Sequence, residues 1–177
     1  MMTTKDTQLA KNIDPEVIAL KALAQKLSEL PAKPRPDESL QVVADLARTL
    51  TDAAYCALAI TDTNNDTEGF FVSGLDEVTL RHLKTAPQGH GPLGSLRLDG
   101  MPVQFDNVSE HAKAFGFPPN HPEMERLLGV AIWSNKEVRG ALYVTDRSNG
   151  EKFNENDKQI LLTLAKHASY IVTKEWY

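Results

Sequence analysis

Leu127-Leu-Gly-Val-Ala-Ile-Trp133 and Val138-Arg-Gly-Ala-Leu-Tyr-Val-Thr145, with Ser134-Asn135-Lys136 at the turn between them, decide the fold class. Two strand-length apolar runs on either side of a short polar turn predict paired antiparallel strands. Upstream, Ala54 to Thr61 reads as another strand. Asn64-Asn65-Asp66 turns the chain, and Gly69 to Ser73 returns as its antiparallel partner. Val103 to Phe105 is a candidate short strand, and Asp76 to Lys84 carries a short helical pattern through Val78, Leu80 and Leu83.

Helices flank these strands. Val17, Leu20, Ala24 and Leu27 follow a three-then-four spacing across Pro15 to Leu30, with Asp14 placed to cap the helix and Pro15 at its first position. The proline-rich stretch Pro31-Ala-Lys-Pro-Arg-Pro36 then acts as a stiff connector. A second helix from about Glu38 to Leu50 buries Leu40, Val43, Leu46, Ala47 and Leu50. A last helix follows Asn154, which can cap it together with Asp157, and turns Ile160, Leu161, Leu164, Ala168 and Ile171 inward. The order predicts an α+β fold: an antiparallel β-sheet with N- and C-terminal helices on one face and a ligand pocket under a long loop on the other. The expected organisation is a flexible N-terminus over 1–14, a helix and proline-rich connector over 15–37, and one domain over 38–177.

Composition narrows the function. A chain of 177 residues, 41% hydrophobic and 24% charged, suits one globular domain. Its longest apolar run, Ala53 to Ile60, is too short to cross a bilayer, and the polar start lacks the apolar stretch of a secretory signal. No membrane role is expected, and cytoplasmic residence is the default expectation. Nineteen Lys and Arg against twenty-four Asp and Glu give a net charge of −5, with no basic cluster to hold a phosphate backbone. No nucleic-acid partner is expected. The single cysteine, Cys56, forbids an internal disulfide, and its apolar surroundings read as those of a small buried hydrophobe.

Between Phe105 and Leu127 lie about twenty residues with little helix or strand signal, longer than loops inside compact domains usually run. The segment is not polar. It holds Phe115, Phe117, His121 and Met124 among three prolines, which restrict the backbone and hold one shape. Pro122 pushes His121 toward an extended conformation, so that its ring projects from the chain. A stiff apolar loop carrying one histidine suits the wall of a ligand pocket whose floor is the sheet.

Five stretches resemble a known family. Pro87-Gln-Gly-His-Gly-Pro-Leu-Gly94, Gly116-Phe-Pro-Pro-Asn-His-Pro-Glu-Met124, Leu128-Gly-Val130, Gly140-Ala-Leu-Tyr-Val144 and Phe153-Asn-Glu-Asn-Asp157 are similar, in this order, to motifs of GAF domains over roughly residues 38–174. They most resemble the haem-binding GAF domains of DevS/DosS-type oxygen- and redox-sensing histidine kinases. That resemblance implies His121 as the proximal iron ligand and Tyr143 as the distal hydroxyl that hydrogen-bonds a bound gas. It implies a haem pocket walled by Phe115, Phe117, Met124, Leu127 and Leu128. Ala131 departs from the proline common at that place in the family. No kinase output or second GAF domain accompanies the motifs here. The expectation is therefore a stand-alone sensor that acts on a separate signalling partner or through a homodimer formed by helices 15–30 and 155–174.

Other readings stay open. His82, His90, His111 and His167 show no zinc spacing, and Gly89, Gly91 and Gly94 lack the lysine of a phosphate-binding loop. No nucleophile–base pair emerges, so no enzymatic activity is expected. GAF-like reductases of free methionine sulfoxide need several cysteines, and a bilin would need a cysteine in the loop region; Cys56 serves neither. The alternative is a haem-free GAF domain that binds a small anion or metabolite, such as nitrate or a nucleotide, through backbone N–H groups. A pure interaction module is a third. Trp176 and Tyr177 are expected either to join a dimer interface or to fray.

Overall fold

The computed structural model describes residues 13–64, 66–82, 99–111 and 123–177. Its elements run α1 (Pro15–Ser28), α2 (Pro36–Leu50), β1 (Ala53–Thr61), β2 (Thr67–Ser73), α3 (Glu77–His82), β3 (Val103–Phe105), a 3₁₀ turn (Val108–His111), β4 (Leu127–Ser134), β5 (Glu137–Arg147) and α4 (Glu155–Ile171). The five strands form one antiparallel sheet in the order β2-β1-β5-β4-β3. The expected α+β architecture is what the chain adopts.

Both long helices beside the sheet lie on the same face. α2 packs against β1 and β2, α4 packs against β4, and α1 stacks on α2 and α4. Period-two alternation supplies the strands' half of this core. Leu58 and Ile60, Val130 and Ile132, and Leu142 and Val144 meet Leu40, Val43, Leu161 and Leu164 from the helices. Among the described residues, no helix is long and apolar enough to cross a membrane.

Local chemistry sets the element ends. Asp14 accepts a hydrogen bond from the Glu16 N–H at 2.9 Å, and Pro15 opens α1. Asn154 and Asp157 exchange reciprocal bonds of 3.0 and 2.8 Å at the start of α4. α2 begins earlier than the spacing predicts: Pro36 closes the connector and also serves as the first helical residue, where a missing N–H costs nothing. At the β4–β5 turn, Asn135 (φ 51°) and Lys136 (φ 69°) both take the left-handed conformation that matches the twist of paired strands.

The last residues are not frayed. Val172–Trp176 forms a wider helical turn that lays Trp176 on the protein's own sheet. The indole meets Phe71 edge-on, with ring centroids 6.2 Å apart, and donates from Nε1 to Glu68 at 3.3 Å. Gly69 makes room for it, since a Cβ there would come within 2.9 Å of the indole. The Tyr177 hydroxyl donates to the Thr61 carbonyl at 3.2 Å.

Candidate functional site

The face of the sheet turned away from the helices carries a second apolar cluster. Ala57, Val108, Met124, Leu127 and Tyr143 form its buried centre, flanked by Tyr55, Phe70, Val72, Val103, Phe105 and Ala141. Strand register arranges this face in rows. Ala59, Ala141 and Ala131 are cross-strand neighbours on β1, β5 and β4. The next row is Ala57, Tyr143 and Gly129, and the third is Tyr55, Thr145 and Leu127. Residues directly opposite one another in an antiparallel pair share a face. Small residues therefore make a low, level floor beside one large phenol.

That phenol is the unusual group. Tyr143 is 5% exposed, and its hydroxyl has no hydrogen-bond partner among the described residues. Burial pushes its pKa up, so it stays protonated and able to donate. Two positions along β5, Thr145 is 1% exposed and its Oγ1 is likewise unpartnered. Buried hydroxyls are nearly always satisfied, because an unmade bond costs about 1–3 kcal/mol. Two such hydroxyls lie on one strand, on the face opposite α2 and α4, without a partner among the described residues.

The rim of this face is tied down. Asp146 sits at φ 54°, and its carboxylate accepts from the Arg126 N–H at 2.9 Å and the Glu125 N–H at 3.2 Å. Its own N–H donates to the Arg126 carbonyl at 3.0 Å. The Val108 N–H donates to the Glu125 carbonyl at 2.8 Å, and the Ser109 and Glu125 side chains are hydrogen-bonded. Both sides of the rim thus meet next to Met124 and Leu127. Beyond Asp146, the Arg147 guanidinium lies 3.5 Å from Asp157 at the head of α4. Burial raises the Asp157 carboxyl above its ordinary range, although the Asn154 N–H and Arg147 pull it the other way.

Of the residues singled out from the sequence, Tyr143, Met124 and Leu127 come together in this cluster. Leu128 does not join them. It points into the helix-side core, because consecutive strand residues face opposite ways. Phe115, Phe117 and His121 lie outside the described residues, as do Gly89, Gly91 and Gly94. Thr145 was missed, and its signal was available: it follows Tyr143 by two along a strand. Cys56 faces the helices at 3% exposure, with its thiol pKa raised by burial, which leaves it inert as a nucleophile.

Among the described residues this face offers two hydroxyl groups over an apolar floor, and His121, the iron ligand that the resemblance implies, lies outside them.

A sequence model of the GAF domain matches residues 34–173. Solved structures share the fold. The GAF domain of the phosphoenolpyruvate-protein phosphotransferase from Acinetobacter is 20% identical with a TM-score of 0.69, over 88% of this chain and 92% of that one. Its counterpart from Coxiella burnetii is 24% identical with a TM-score of 0.68, over 89% and 94%. The free methionine-R-sulfoxide reductase from Neisseria meningitidis, solved with its substrate, is 19% identical with a TM-score of 0.64, over 90% of each chain.

Proposed function

This chain belongs to the GAF domain family, and from that premise we propose a sensory domain that binds haem on the face of its sheet opposite α2 and α4. His121 would hold the iron, as the resemblance to gas-sensing GAF domains implies. Bound haem supplies an iron position open to a diatomic gas and able to change redox state. The chain's own residues do the rest. Tyr143 keeps a proton on its buried hydroxyl and donates it as a hydrogen bond to the gas. Met124 and Leu127 exclude water beside it, and Phe115 and Phe117 are given the same task by the resemblance. The observation that carries this reading is the Tyr143 hydroxyl, buried on an apolar floor without a partner among the described residues.

Signal would leave along β5. Tyr143 faces the site, Asp146 fastens the rim and Arg147 meets Asp157 at the start of α4. α4 and α1 pack together, and α1 exposes Val17 and Leu20, with Ile13 exposed just ahead of its N-cap. That seam is the proposed contact with a second copy or a separate signalling partner. No catalytic step is part of the reading, since Cys56 is sequestered on the wrong face for chemistry in the pocket.

The test is spectroscopic. Purified protein supplied with haem should develop a Soret band, and His121→Ala should abolish or shift it; an identical spectrum in that variant removes His121 from the site. A haem-free reading, in which the face binds a nucleotide, is favoured by one observation: among the described residues, Thr145 adds a second unpartnered hydroxyl. A thermal shift with a cyclic nucleotide and none with haem would select it.

A further inference from the structure

We propose that Thr145 is a second ligand contact and a specificity-determining residue of this site: it pairs with Tyr143 to hold a molecule with a flat apolar body and oxygen acceptors at two points. The proposal rests on the sheet face being the ligand site and extends that reading to the ligand's chemistry.

The geometry comes from one strand. Tyr143 and Thr145 are two positions apart on β5, about 7 Å at the strand's rise, and alternation turns both toward the face opposite α2 and α4. Thr145 stands directly between Tyr55 on β1 and Leu127 on β4, and its buried hydroxyl has no partner among the described residues. The phenol carries its hydroxyl farther from the backbone. The two donors therefore sit at different heights over the same floor. A small symmetrical anion would satisfy only one of them, whereas a plate with an oxygen at its edge and another above its plane would satisfy both.

Among the described residues, the rest of the three rows is alanines, Gly129, Leu127 and Tyr55, and Tyr55 alone of these carries a side-chain hydrogen-bonding group. The buried hydroxyls without a partner on these rows are those of Tyr143 and Thr145. Valine has the shape of threonine without the donor, and phenylalanine the shape of tyrosine without it. Removing either hydroxyl also removes an unsatisfied buried group from the ligand-free protein. A ligand contact and a purely structural residue therefore predict opposite signs for stability.

The experiment compares wild type, Thr145→Val and Tyr143→Phe, with His121→Ala as the control for iron. Without ligand, both hydroxyl-deleting variants should melt above wild type; a lower Tm in Thr145→Val would mean that its hydroxyl has a protein partner and would overturn the proposal. With haem, and then with carbon monoxide on the reduced haem-loaded protein, Thr145→Val should weaken binding of haem or of the gas about tenfold, equal to ~1.4 kcal/mol. Unchanged affinities would also overturn it. If haem leaves the wild-type Tm and spectrum unmoved, the haem reading fails on its own. The same variants are then assayed for the thermal shift given by a cyclic nucleotide and by nitrate. A cyclic-nucleotide shift lost in Thr145→Val sustains the proposal. A shift with nitrate alone, or with none of the three, ends it.

Discussion

Asp146 offers a graded test of how the rim of the site is held. Three contributions meet there: a left-handed backbone at φ 54°, a carboxylate that accepts from Glu125 and Arg126, and an N–H donated to Arg126. A left-handed L-residue costs about 1–2 kcal/mol, least for Asp and Asn. Hydrogen bonds to a charged acceptor contribute about 1.5–3 kcal/mol, and half-exposure places this carboxylate near the lower end, at about 2. Asp146→Asn keeps one acceptor and the tolerance for positive φ, so it should cost about 1 kcal/mol. Asp146→Gly loses the carboxylate, recovers the strain and gains freedom in the unfolded chain, a net loss of about 2. Asp146→Ala loses the bonds and adds strain, about 3 kcal/mol in all. At roughly 3 °C per kcal/mol for a domain of this size, the melting temperatures should fall by about 3, 6 and 9 °C in that order. Thermal unfolding followed by circular dichroism measures them. An alanine variant no worse than asparagine would refute the backbone argument, and a glycine variant as stable as wild type would refute the carboxylate's role.

Gly140 on β5 faces the backbone of β1 so closely that a Cβ would lie 2.2 Å from the Ala59 carbonyl oxygen. Gly140→Ala should therefore cost about 3 kcal/mol, seen as a lower urea midpoint, and a loss below about 0.5 would show that the strands separate freely. Cys56 should react with a thiol reagent only after unfolding, at the same denaturant concentration at which circular dichroism is lost; rapid reaction in native buffer would contradict its burial. His167 on α4 has its pKa lowered by burial, with Glu175 opposing. The unfolded chain then binds the extra proton, so stability should fall as pH drops from 7.5 through about 6.5. His167→Gln should flatten Tm between pH 7.5 and 5.5, and an unchanged slope would place the acid sensitivity elsewhere.

Much of the fold was legible because its signals are local. Asn154 and Asp157 announce the start of α4 by their spacing, and the β4–β5 hairpin is visible as two apolar runs around a polar turn. Boundaries slipped where one residue serves two elements: Pro36 reads as the end of a stiff connector and acts as the first residue of a helix. The site was legible in part. Tyr143, Met124 and Leu127 were found through the motifs that contain them. Leu128 was placed beside Leu127 because they are neighbours in sequence, although a strand sends neighbours to opposite faces. Trp176 looked unattached because its partners, Glu68 and Phe71, are distant in the chain.

By itself the sequence determined the α+β class, the succession of helices and strands, and the family whose motifs it carries, since capping, turn chemistry and periodicity act over a few residues. Only the tertiary structure decided that β5 lies between β1 and β4, that α2 and α4 pack on one side of the sheet, and that Tyr143 and Thr145 on the other have no partners among the described residues. Whether a buried hydroxyl is satisfied depends on every group that folding brings within 3.5 Å of it, and no spacing along the chain contains that information.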